Sequence, residues 1–159
     1  MSAALTIARA MWRESLHGRF WLIYGVVMAL STGAAVFISQ LVLTDSDRTR
    51  IIILAAMLRA LLAVQVILHV AAAVNRETEE QGRDMVLAAG LPAPLLIAGR
   101  LLGYGVGAVI MAVGAGLLLM ANGAGRQLFV WAVGLGCELS LLAAFTLAAA
   151  LAMRQVTSA

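Results

Sequence analysis

Apolar residues run in four long blocks along this chain, and polar residues gather between them. The blocks cover about residues 20–43, 51–74, 95–121 and 128–153. Each meets the roughly 20 residues that a helix needs to cross a hydrocarbon core about 30 Å thick. The ten-residue alternation of a membrane barrel is absent, so the pattern predicts an all-α integral membrane protein with at least four transmembrane helices. Before the first block, residues 3–17 read AALTIARAMWRESLH. Leu5, Ala8, Met11, Trp12 and Leu16 recur at three- and four-residue steps, with Thr6, Arg9, Arg13 and His17 on another face. That spacing predicts an amphipathic helix lying in the headgroup region. It is too polar for a signal-peptide core, and no small-residue cleavage motif follows it.

The connections differ in kind. Residues 44–50 and 122–127 contain Thr-Asp-Ser-Asp and Asn-Gly-Ala-Gly, both signals of tight reversal. The segment 75–94 is long and polar, and it concentrates Glu77, Glu79, Glu80 and Asp84, four of the eight acidic residues, within eight positions. Met85, Val86, Leu87 and Leu91 follow, and Pro92 and Pro94 forbid a continuous helix into the third block. The expected geometry is a short cytoplasmic helix across the membrane surface, a turn, and then a span. A solvated loop would obey the same charge rules. No internal repeat or low-complexity linker divides the chain, so residues 1–159 read as one transmembrane domain.

Composition agrees with the pattern: 63% of residues are hydrophobic and 12% charged, with a mean hydropathy of +0.99, far from the balance of a soluble domain. The net charge of +3 comes from arginine alone, because the chain has no lysine. A phosphate-binding loop of the G-x-x-x-x-G-K-[ST] kind is therefore excluded. Arg9, Arg13, Arg19, Arg76, Arg83, Arg100 and Arg154 fall on one side of the spans, and Arg48, Arg50 and Arg126 on the other. The positive-inside bias puts the N-terminus and 75–94 in the cytoplasm, and it explains the basic balance without nucleic acid. The single cysteine, Cys137, excludes an internal disulfide and suggests no metal cluster. No serine–histidine–carboxylate set, H-E-x-x-H or cysteine–histidine cluster points to an enzyme.

Two charges interrupt the spans. Arg59 lies eight residues beyond Ile51, and Glu138 ten beyond Leu128. With both spans starting on the same side, the two lie within roughly 3 Å of equal depth. Either alone near mid-bilayer costs about 2.5–3.5 kcal/mol, so an Arg59–Glu138 pair between spans two and four is expected. Three roles stay open for it: fixing helix register, contacting a cargo or proton, or meeting a further span or partner. His69, late in span two, has no second ligand at helical spacing and reads as a helix-packing hydrogen bonder; metal or haem ligation would need a dedicated site. Gly99, Gly103 and Gly107, four apart, form one ridge that reads as a packing seam or as ordinary membrane-helix glycine. Trp12, Trp21, Tyr24 and Trp131 stand near expected interfaces.

The layout resembles the permease subunits of ABC transporters of the type-2 exporter family, which have an interfacial helix, two spans and a cytoplasmic coupling helix before span three. The residues that carry the resemblance are Glu79-Glu80-Gln81-Gly82-Arg83, Met85-Val86-Leu87, Leu91-Pro92 and Gly99-Arg100-Leu101-Leu102-Gly103. The motif is confined to about 76–103, and Ala93-Pro94 stands where the family usually has serine-arginine. The family has six spans, so the resemblance implies further C-terminal spans beyond these four. It also implies that Glu77, Glu79, Glu80, Arg83 and Asp84 make polar contact with a separate ATPase subunit, with Met85 and Leu87 as apolar plugs. ATP and Mg would be bound by that partner and no cofactor by this chain. The other implied partners are a second or homologous permease and membrane lipids, with an amphipathic or lipid-like cargo, in a bacterial inner membrane. The competing reading is a non-catalytic structural or assembly subunit of a larger membrane complex.

Overall fold

The computed structural model describes residues 20–41, 45–79, 93–123, 125 and 127–157, with side chains at 77–79, 93–96 and 154–157 excepted. The expected interfacial helix 3–17 lies outside the described residues. Four α-helices make up the description: α1 Phe20–Gln40, α2 Ser46–Glu79, α3 Ala93–Ala121 and α4 Leu128–Thr157. Each contains a stretch long and apolar enough to cross a membrane; the shortest has 21 residues, about 31 Å at helical rise. The protein is a multi-pass membrane protein.

α2 packs against each of the other three helices, and α3 against α4 makes the most extensive contact. The sequence explains the central place of α2. Leu54, Leu58, Leu62, Val66, Val70 and Val74 are all buried and spaced by four. Such a row is inclined by about 26° to the helix axis, so it turns toward successive neighbours along its length. The outer faces carry exposed Leu22, Phe37, Leu68, Leu117, Phe129 and Phe145, side chains that a hydrocarbon solvent accepts without cost.

The α3–α4 seam is built from small residues. A Cβ placed on Gly116 would meet Ala132 Cβ at 3.1 Å, and one on Gly136 would meet Ala112 Cβ at 3.5 Å. As one index rises by four the other falls by four, which is antiparallel register. Ala112 and Gly116 on α3, with Ala132 and Gly136 on α4, let the two backbones approach closely. The glycine ridge of the sequence reading fares differently: Gly99 is buried and Gly103 half-buried, but a Cβ on Gly107 would meet nothing within 4 Å. Space around Gly107 is open, so the tight seam within this chain lies nearer the turn, at Gly116 and Gly136.

The second short connection falls where the sequence places it, between Ala121 and Leu128, and the first is shorter. α2 begins at Ser46 rather than near Ile51, because Asp45, with φ 53°, reverses the chain and its carbonyl accepts from Thr49 N at 3.0 Å. Asp47 in the first turn favours the helix dipole and lies 3.6 Å from Arg50. At the end of α3, Gly123 takes φ 90°, the left-handed position that closes a helix C-terminus. Asn122 Nδ2 donates to Leu118 O at 2.8 Å beside it. Arg50 Nη2 donates to Asn122 O at 3.4 Å, so the two turns sit at one end of the bundle and the α2–α3 connection at the other.

That connection departs from expectation in one respect. Residues 75–79 continue α2 for more than a turn past Val74 rather than opening a separate helix, since nothing in Asn75–Glu79 breaks helix propagation. Pro94 sits inside the first turn of α3, where a missing amide proton costs no hydrogen bond. The remainder of 75–94 as far as Pro92 is outside the described residues.

Substituting Gly116→Leu should overpack the α3–α4 seam and lower stability by about 1–3 kcal/mol, read as an earlier midpoint of thermal unfolding in detergent. Gly107→Ala, placed in open space, should be neutral or stabilising by up to about 1 kcal/mol. Equal losses at the two sites would contradict the seam described here.

Candidate functional site

The polar centre of the bundle lies on the α2–α4 seam. Arg59 follows Leu58 and Glu138 precedes Leu139, and both leucines are fully buried. Each charge is thereby held at the margin of the apolar contact rather than inside it. Arg59 Nε lies 2.7 Å from Glu138 Oε2, the length of a charge-assisted hydrogen bond. The pair is not enclosed: the Arg59 side chain is 60% exposed and that of Glu138 35%. The structure thus brings together the two charges that the sequence places at one depth.

Beside the pair runs an open groove of about 620 Å³ lined by Arg59, Trp131, Gly134, Leu135, Cys137, Glu138, Leu141, Leu142 and Phe145. Except for Arg59, these come from one face of α4, at steps of three and four residues. Trp131 therefore does more than mark an interface; it forms the wall of the groove nearest the α3–α4 turn. Its lining is mostly apolar apart from the two charges, and it is open along the exposed face of α4. Sequence spacing located the pair but not the groove, because the uncovered face of α4 depends on where its neighbours pack.

A second polar group of contacts fastens α1. Gln65 Nε2 donates to Phe20 O at 3.2 Å from a buried position. The His69 ring stacks on Phe20 with centroids 4.0 Å apart, tilted by 35°, and meets Tyr104 edge-on at 6.2 Å. His69 is thus a packing ring among aromatics, and among the described residues no group of His, Cys, Asp and Glu could hold a metal ion. Tyr24 was expected near an interface; its hydroxyl instead donates across the bundle to Met111 O at 3.0 Å. The phenol lies over Gly114, whose missing Cβ leaves room for the hydroxyl. This hydrogen bond is invisible in sequence because its partners are 87 positions apart.

Two of the remaining candidates lie at the opposite end of α2 from the turns. Glu77 and Glu79 occupy the last helical residues of α2. Glu80, Arg83, Asp84, Met85 and Leu87 fall outside the described residues.

Reversing one charge, Arg59→Glu or Glu138→Arg, should place two like charges together near mid-membrane and reduce the folded yield, with a cost on the order of 2.5–3.5 kcal/mol or more. The double exchange Arg59→Glu/Glu138→Arg should recover much of the loss, read by monodisperse yield and thermal midpoint in detergent. Absence of rescue would mean that the 2.7 Å contact contributes no coupling. Comparison with known protein families, with curated proteins and with solved structures finds no match to this chain.

Proposed function

We propose that this chain is a membrane-spanning permease subunit of an ATP-driven ABC exporter, seated in a bacterial inner membrane with its N-terminus in the cytoplasm. The observation that carries the reading is the division of the connections between the two ends of the bundle. Two tight turns, tied by Arg50 and Asn122, occupy one end. Glu77 and Glu79 close α2 at the other, and the sequence that joins α2 to α3 adds Glu80, Arg83 and Asp84 between Arg76 and Arg100. A polar segment isolated on the arginine-rich side is available to a soluble partner, and the run from Glu79 to Gly103 is the part that resembles a coupling helix.

The mechanism that follows is mechanical. A separate ATPase binds ATP and Mg and closes; it would grip the segment through Glu77, Glu79, Glu80, Arg83 and Asp84, with Met85 and Leu87 as apolar plugs. α2 is a rigid lever for such a movement, because it continues unbroken from Ser46 to Glu79 and touches each of the other described helices. Displacing its acidic end would shift Arg59 and the α2–α4 seam, and a second permease copy would complete the path for an amphipathic cargo. This chain would hold no ATP and perform no catalysis.

The test is a pull-down in mild detergent of the full chain beside Glu79→Arg/Glu80→Arg/Asp84→Arg. An ABC ATPase should accompany the unchanged protein and be reduced about tenfold or more with the variant, as expected when several charge-assisted contacts reverse sign. Consistent recovery of other membrane subunits, with no ATPase, would favour a structural or assembly subunit instead.

A further inference from the structure

We infer that the flank of α2 and α4 around the Arg59–Glu138 pair is an interface with a second copy of this chain. In it each Arg59 faces the other copy's Glu138, and four charges alternate around a two-fold axis along the membrane normal. This interface stands apart from the transport reading: that reading is met by an identical or a homologous second permease, and its ATPase contact lies on another segment.

Three observations carry it. First, the pair lies on the outside of the bundle, with the Arg59 side chain 60% exposed and that of Glu138 35%. Hydrocarbon offers neither group a hydrogen-bond partner, and ionisable groups within spans are ordinarily turned inward or paired across a contact. Second, the pair is neutral as a whole but dipolar, and its two ends lie at one depth, since Arg59 Nε and Glu138 Oε2 are 2.7 Å apart. Copies of one chain insert with the same side in the cytoplasm, so the symmetry that relates two of them is a two-fold along the normal, which preserves depth. In such an isologous contact residue i meets j while j meets i. α2 then faces the α4 of the other copy, and the two dipoles lie antiparallel, positive against negative on both sides. Any other protein would need the same two charges at the same depth, a requirement that a second copy meets by identity. Third, the surface beside the pair suits close contact between helices. Gly134 and Cys137 form a low floor and Leu141 and Phe145 a raised wall on one face of α4. A Cβ on Gly134 would meet nothing within 4 Å, and Leu141 and Phe145 are more than 70% exposed. On α2, Ala56 and Ala60 flank Arg59 and are exposed too, small residues of the kind that let backbones approach. A lipid chain would cover the apolar side chains but not the charges; a second copy covers both.

Cys137 is the chain's only cysteine, is exposed and stands next to Glu138 on this face, so the unaltered protein reports on the interface. In the inferred dimer the two Cys137 thiols lie across the axis, within reach of a short bis-methanethiosulfonate. The full chain, reconstituted at high dilution in phosphatidylcholine vesicles, should give a cross-linked dimer on a non-reducing gel. Cys137→Ser/Leu117→Cys moves the thiol to an exposed position of α3 outside the groove and should give only the background of random collision. Glu138→Gln, which keeps the shape of the groove and removes one charge, should weaken the dimer by about tenfold, the margin of a charge-assisted bond. Arg59→Glu and Glu138→Arg should each abolish it. Those two chains, co-expressed with different tags, should form a cross-linked heterodimer, because each supplies the charge that the other lacks. An ion pair that acts only within one chain cannot give this rescue in trans. Monomer alone from the unaltered chain, as a lipid or a further span in the groove would leave it, would overturn the proposal. So would an equal dimer from the Leu117→Cys protein, an undiminished dimer in Glu138→Gln, or no heterodimer from the co-expressed pair.

Discussion

Hydrocarbon offers no hydrogen bonds, and the rest of this structure follows from that constraint. Backbone groups must be satisfied within each segment, so the apolar blocks are continuous helices without a break between their ends. Three side-chain hydroxyls meet the same demand locally: Thr32, Ser140 and Thr146 donate to the carbonyl four residues earlier at 2.7–2.8 Å, whereas the buried Ser31 hydroxyl has no hydrogen-bond partner. Where no local acceptor serves, the polar group reaches across the bundle, as Gln65 does to Phe20 and Tyr24 to Met111. These bonds are modest in free energy, about 0.6 kcal/mol on average in a membrane protein. Their geometry fixes which helix lies against which.

Lipid also withdraws the hydrophobic drive that holds soluble helices together, so association rests on close packing. The contact surfaces divide by residue size accordingly. α2 uses large side chains at four-residue steps to fill the centre, and the α3–α4 seam uses alanine and glycine to bring backbones near. Arg59 and Glu138 lie where these two schemes meet. Their placement beside buried leucines keeps the packed seam apolar while leaving a charged surface on one flank, and that flank is the feature of the bundle with chemical character of its own.

The acidic segment and the groove lie in different parts of the molecule, and α2 connects them. The helix that ends at Glu79 carries Arg59 near its middle.

The sequence by itself determined the number and extent of the described spans, the two tight reversals, and the depth of Arg59 relative to Glu138. These are properties of length, hydropathy and helical rise, all of which are local. Its errors at helix ends have local causes too: Asp45, inside the Thr-Asp-Ser-Asp signal, turned the chain so that α2 began at Ser46 rather than near Ile51, and Asn75–Glu79 propagated a helix that charge alone had assigned elsewhere. Only the tertiary structure decided which small residues touch, so the seam fell at Gly116 and Gly136 rather than at Gly107. It also decided which face of α4 stays uncovered, and therefore that Trp131, Leu141 and Phe145 share a groove with the ion pair. Those outcomes depend on the rotation of each helix about its axis, which periodicity cannot assign when nearly every face of a span is apolar.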